Sequence, residues 1–113
     1  SRDEVFEKEL YKEFFMHRTS HWLGLDVHDA GQYFDAPLKG GNSKPIKFQD
    51  SNVLTVEPGC YIKPNGNVPK EFWGIGIRIE DDVLVTPSGH KVLSENAPKE
   101  IKDLEDVIGS LNE

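Results

Sequence analysis

Ile75-Gly76-Ile77-Arg78-Ile79-Glu80-Asp81-Asp82-Val83-Leu84-Val85-Thr86 is the stretch that decides the fold class. Its first six residues alternate, as a half-buried strand does. Ile77 and Ile79 share one face, and Arg78 and Glu80 share the other. Val83 to Thr86 carry on beyond Asp81-Asp82, either as one long bulged strand or as a second strand. Pro87-Ser88-Gly89 then reads as a turn and Lys91-Val92-Leu93 as a short return strand. Upstream, Val53-Leu54-Thr55-Val56-Glu57 has strand composition and stops at the turn signal Pro58-Gly59, with Tyr61-Ile62 resuming it.

Helical patterns flank these strands. Over residues 3–16, Val5, Phe6, Leu10 and Phe14 form an apolar stripe that Tyr11 and Phe15 widen. That spacing predicts a core-facing amphipathic helix, with Ser1 or Asp3 as its cap. Residues 98–108 read as a closing helix, with Pro98 early and Ile101, Leu104, Val107 and Ile108 on one face. Residues 17–36 are expected as a loop and a short strand. Residues 37–52, with Pro37, Gly40, Gly41 and Pro45, are expected as a surface loop, and Asn65-Gly66 as a tight turn. Helix, antiparallel strands, helix is an α+β arrangement.

The chain has 113 residues, enough for one domain with a modest core. Its 36% hydrophobic and 29% charged residues are ordinary for a globular protein. The net charge of -7 argues against nucleic acid as a partner, which needs a basic face, and against an anionic membrane surface. No apolar run approaches the ~20 residues of a spanning helix. Cys60 is the lone cysteine, so no internal disulfide forms and a reducing, cytoplasmic setting is expected.

Three segments carry donor groups. Three of the four histidines, His17, His21 and His28, fall within twelve positions. Glu57 ends one strand and Glu80 ends the alternating one. Each has a plain alternative: a core or surface histidine, a solvated strand end, an Arg78–Glu80 pair on an open sheet face, which is worth little. Read together, they supply neutral nitrogen and anionic oxygen, the donor set suited to Mn, Zn, Co or Fe. Two-metal hydrolysis needs bridging carboxylates and further ligands. Asp26, Asp29, Asp81 and Asp82 are available acids, but none stands in a strand of its own. The residues alone therefore describe a partial metal site, with His90 solvated beyond it.

At these residues the chain resembles the aminopeptidase P group of the pita-bread metallopeptidases. The resemblance lies in Ser20-His21-Trp22-Leu23-Gly24-Leu25-Asp26-Val27-His28-Asp29, in Leu54-Thr55-Val56-Glu57-Pro58-Gly59-Cys60-Tyr61, and in Gly74-Ile75-Gly76-Ile77-Arg78-Ile79-Glu80-Asp81-Asp82-Val83. It implies the C-terminal half of a pita-bread catalytic domain and the release of an N-terminal residue that precedes proline. It makes His21 and Glu57 ligands to one metal and Glu80 a bridge between two, most often Mn, with Zn or Co as alternatives. It gives His28 contact with the substrate carbonyl or tetrahedral intermediate and a part in proton transfer. His17 would line the substrate pocket, and Arg78 and Tyr61 would support the site.

The family's two aspartate ligands come from strands before the His motif, and here only a helical pattern precedes His17. The first half of that domain, and the separate domain before it, are thus expected to lie outside these 113 residues. Arg18 stands where many relatives have Gly, and Gln49-Asp50-Ser51-Asn52 replaces a Pro-Gly-Met type of turn. A half-domain should expose apolar surface around Val53, Val56, Ile77 and Ile79, self-associate or be marginal, bind metal weakly and lack peptidase activity by itself. A prolidase acting on dipeptides and a non-catalytic assembly module are the competing readings.

Overall fold

Antiparallel pairing in two separate sheets organises the chain. The computed structural model describes residues 1–35, 43–64 and 67–109. Helix α1 spans Arg2–Glu7, followed by a single 3-10 turn at Leu10–Glu13. Strand β1 is Val53–Val56, β2 Gly59–Tyr61, β3 Gly76–Arg78, β4 Asp81–Thr86 and β5 Gly89–Val92, and helix α2 closes at Ile101–Gly109. Strands β1, β4 and β5 form one sheet in that order, and β2 pairs with β3 in the other.

The two open readings of residues 75–86 resolve into two strands. β1 and β4 pair from Val53↔Leu84 to Val56↔Asp81, and β2 and β3 resume pairing at Gly59↔Arg78. Glu57-Pro58 and Ile79-Glu80 lie between. Pro58 has no N–H to give the ladder and so breaks it. Its carbonyl still accepts from Ile79 N–H at 3.2 Å. The chain therefore changes sheets at the same level on both strands, and that level is where Glu57 and Glu80 sit.

The expected short strand in 17–36 appears as main-chain pairing of residues 19–23 along the free edge of β1. Glu57 N–H donates to Thr19 O (2.7 Å), Thr55 N–H to His21 O (2.9 Å) and Leu23 N–H to Val53 O (3.1 Å). β1 is thereby covered on both edges, and it holds the buried residues: Leu54, Thr55 and, at its end, Glu57.

The helix expected over 3–16 is shorter than its stripe. Ser1 caps α1 through a reciprocal capping box with Glu4. Glu9 then takes a left-handed conformation (φ 52°), which ends the helix and leaves the 3-10 turn. The expected core-facing stripe is corrected as well: among the described residues nothing buries Val5, Phe6 and Leu10, which are exposed, while Tyr11, Phe14 and Phe15 are half-buried. The closing helix begins at Ile101, three residues later than expected, and exposes Ile101, Val107 and Ile108. Val56, Ile77 and Ile79 are also exposed, while Val53 is half-buried. The radius of gyration is 18.1 Å, against about 13 Å for a compact domain of this length. Residues 37–42 of the expected loop, and the Asn65-Gly66 turn, lie outside the described residues.

Candidate metal centre

The break between the sheets gathers three of the candidate ligands. His21, Glu57 and Glu80 each present an atom within 4.8 Å of the others. β1 carries Glu57 at its end, the edge-paired segment carries His21, and the turn into β4 carries Glu80. The His21 ring is oriented by its own neighbour: Nδ1–H donates to the Trp22 carbonyl at 2.9 Å, since a carbonyl can only accept. That leaves Nε2 facing Glu57 Oε1 at 3.3 Å. Two electron-rich atoms directed at one another, with a second carboxylate alongside, are what a cation relieves. One imidazole nitrogen and two carboxylates fit a divalent ion of the Mn, Zn or Co kind.

Arg78 restrains both carboxylates. Its Nε lies 3.2 Å from Glu80 Oε2 and 3.9 Å from Glu57 Oε2. A hydrogen bond with Tyr61, then the nearby Glu80 charge, hold the guanidinium above its usual range, so it stays cationic. The Tyr61 hydroxyl meets His17 Nε2 at 2.8 Å, and His17 Nδ1–H donates to Arg18 O at 2.8 Å. In the neutral ring His17 Nε2 then accepts from Tyr61, whose oxygen remains free to accept from Arg78. Arg78 and His17, the two ends of this hydrogen-bonded chain, line an open cleft of ≈ 460 Å³ together with His21, His28, Glu57, Arg18 and Tyr33.

His28 stands on the solvent side of His21, ring centroids 4.2 Å apart. A tight return puts it there: Gly24 N–H donates to Val27 O, and Asp29 N–H to Trp22 O, both at 3.0 Å. A Cβ at Gly24 would lie 2.3 Å from the main chain of His28, so only glycine admits this return.

The spare acids play other parts. Asp29 caps its neighbour Ala30 N–H at 2.8 Å. Asp81 accepts from Ser94 Oγ–H at 2.6 Å and pairs with Lys99 at 2.9 Å, and these two partners hold its carboxyl below the usual range. Asp26 and Asp82 join no candidate ligand cluster among the described residues. His90 is exposed on β5. Sequence reasoning passed over Thr55, whose hydroxyl lies 3.3 Å from Glu57 Oε1. The signal was there in Thr55-Val56-Glu57: residues two apart on a strand share a face.

Residues 2–87 match the model of metallopeptidase family M24. The chain is 44% identical over 106 residues to the Xaa-Pro aminopeptidase of Haemophilus influenzae, covering 94% of this chain and 23% of that one. It is 44% identical over 103 residues to the Xaa-Pro aminopeptidase of Escherichia coli, covering 91% of this chain and 22% of that one. Among solved structures, E. coli aminopeptidase P with the inhibitor Pro-Leu superposes with a TM-score of 0.79 at 40% identity, over 99% of this chain and 24% of that one. Proline aminopeptidase P II from Yersinia pestis does so at 0.81 and 39%, over 97% and 24%. The chain thus spans about a quarter of the length of the relatives it matches. The α+β pita-bread arrangement expected from the sequence is the fold of these structures over the matched region.

Proposed function

This chain belongs to metallopeptidase family M24, and from that premise we propose that it is part of the catalytic domain of an Xaa-Pro aminopeptidase. The reaction is release of an N-terminal residue that precedes proline. The observation that carries the reading is the meeting of His21, Glu57 and Glu80 within 4.8 Å at the break between two sheets.

His21 and Glu57 would hold one divalent ion and Glu80 would reach two, with Mn as the proposed metal and Zn or Co also meeting the donor set. When bound, such ions polarise the scissile carbonyl and make bound water nucleophilic near neutral pH. The chain's own residues supply the rest. Arg78 would steady Glu80 beside His21 and Glu57 through its 3.2 Å contact. His28, exposed beside His21, would donate to the carbonyl oxygen and hand on a proton. His17 offers an imidazole wall to the substrate while Tyr61 fixes its tautomer. The cleft is open on one side, so water exclusion and further carboxylates would come from the remainder of the catalytic domain.

By itself the 113-residue chain should bind Mn weakly and show no measurable peptidase activity. The single, exposed Cys60 suits a reducing cytoplasm, the proposed setting. No helix among the described residues is long and apolar enough to cross a membrane.

The test is a chimera in which this chain replaces the matching 23% of the H. influenzae relative. It should release the first residue of an Xaa-Pro-Xaa peptide in Mn buffer, and Glu80→Ala should stop it. A folded, Mn-loaded chimera that leaves such peptides intact would refute the assignment.

A further inference from the structure

Thr55 is the most deeply buried of the three residues at the centre of the sheet, 1% exposed against 7% for Leu54 and 9% for Glu57. A hydroxyl at such a point costs stability unless it is bonded, and valine would fill the same volume without that cost. The bonds Thr55 makes are specific. His21 N–H lies 3.1 Å from Oγ1. Glu57 Oε1 lies 3.3 Å from the same oxygen. The directions follow from the partners: an amide N–H can only donate and a carboxylate can only accept. Oγ1 therefore accepts from His21 and gives its one proton to Glu57.

The main chain of Thr55 closes the same loop, its N–H donating to His21 O at 2.9 Å. The side-chain oxygen stands in for a carbonyl in the pairing of residues 19–23 with β1. One residue thus grips the backbone of one candidate ligand from both sides and the carboxylate of another.

We propose that Thr55 is a positioning residue of the metal centre, whose hydroxyl sets Glu57 Oε1 opposite His21 Nε2. The inference rests on the reading of His21, Glu57 and Glu80 as ligands and extends it to the group that aligns two of them. The pairing with β1 fixes where the His21 main chain lies, but nothing in it fixes the last torsions of Glu57; the hydroxyl does. The other oxygen, Oε2, has only longer contacts, His17 Nδ1 at 3.8 Å and Arg78 Nε at 3.9 Å.

The experiment compares Thr55→Val and Thr55→Ser in the 113-residue chain by Mn titration, and follows amide hydrogen exchange at His21. Thr55→Val should weaken Mn binding about 10- to 100-fold, as loss of such supporting groups does elsewhere. It should also speed exchange of the His21 amide, which loses its acceptor. Thr55→Ser, which keeps the hydroxyl, should restore both. Val83→Ala loosens the same sheet without touching the hydroxyl and should leave Mn affinity near the starting value. Equal losses from Val83→Ala and Thr55→Val would show a merely structural role and overturn the proposal.

Glu80→Ala and His21→Ala separate the two levels. If they abolish Mn binding while Thr55→Val leaves it unchanged, the inference fails and the ligand reading stands. If they leave binding unchanged, the ligand reading fails and takes the inference with it. Should Thr55→Val prevent folding, Thr55→Ala against Thr55→Ser, again differing by one hydroxyl, carries the same comparison.

Discussion

The centre of the molecule and its two ends are built on opposite terms. Around β1, every main-chain edge is paired, by residues 19–23 on one side and by β4 on the other, and the three candidate ligands meet there. At the ends, α1, closed by its capping box, and α2 bury no side chain fully. The difference teaches that the site is held by strand pairing close at hand, while the helices leave most of their apolar residues exposed. A chain with this division should keep its ligands together even where its periphery is loose.

The sharpest way to break the comparison is to remove a ligand. Glu80→Ala deletes one of three donors and should take Mn binding below detection in the lone chain, read by titration. Its side chain is part exposed and its Arg78 pair is screened, so urea midpoints should barely move. Retained binding would mean that the central cluster does not act as one site.

Next in size is the core of the paired region. Leu54 is the one buried apolar residue among those described, and it sits on β1 beside Thr55. Leu54→Ala should cost about 2–4 kcal/mol in urea unfolding, enough to leave so sparsely packed a chain largely unfolded. A loss under ~1 kcal/mol would show that β1 does not carry the stability assigned to it.

Gly24→Ala tests how the site reaches outward. The added Cβ meets main chain at 2.3 Å, which cannot move as a flexible side chain would. A cost of about 1–3 kcal/mol is expected, with displacement of the His28 ring from His21 seen in imidazole chemical shifts. Unchanged shifts would show that the return of residues 24–28 does not depend on glycine.

How much of this was legible beforehand follows from the physics of each part. The alternation of residues 75–80 and the composition of 53–57 are local signals, and both strands formed. The division of β3 from β4 is not local: it follows from Pro58 on the opposite strand, which no reading of residues 75–86 alone can supply. The helix over 3–16 failed for a related reason. Its stripe was real, but short helices draw most of their stability from a packed face; Val5, Phe6 and Leu10 stay exposed while Tyr11, Phe14 and Phe15 are half-buried beyond the left-handed Glu9. Of the site, the donor types were legible in the residues. The meeting of His21, Glu57 and Glu80 was legible only through the family resemblance, because it depends on a change of sheet. Thr55 was missed because a threonine in a strand reads first as β-propensity.

The Asp81–Ser94–Lys99 clamp lies between the two regions and titrates. Ser94 and then Lys99 hold the Asp81 carboxyl below its usual range. A depressed folded value means that the stabilisation is complete above the unfolded value, near ~4, and is lost as pH falls through the folded one. The segment leading into α2 should therefore loosen at acid pH, followed by amide exchange over residues 94–100, and Ser94→Ala should move that loosening to higher pH. Protection factors over residues 94–100, corrected for the intrinsic pH dependence of exchange, that stay constant with pH would detach the clamp from the ordering of this segment.

The smallest effect belongs to the ends. Phe6 is 60% exposed on α1, and its one aromatic neighbour among the described residues, Tyr11, lies 6.0 Å away at a tilt. Truncation to alanine removes little buried area, so Phe6→Ala should shift stability by no more than about 0.5 kcal/mol in the lone chain. The same substitution should matter far more wherever another surface covers α1, because burial of a phenylalanine side chain contributes about 1.5–3 kcal/mol. Measuring Phe6→Ala both in the lone chain and in the chimera with the H. influenzae relative turns the contrast between centre and ends into a number. A large loss in the lone chain would mean that α1 is already packed, by self-association, and concentration dependence of the urea midpoint would separate that case from packing within one copy.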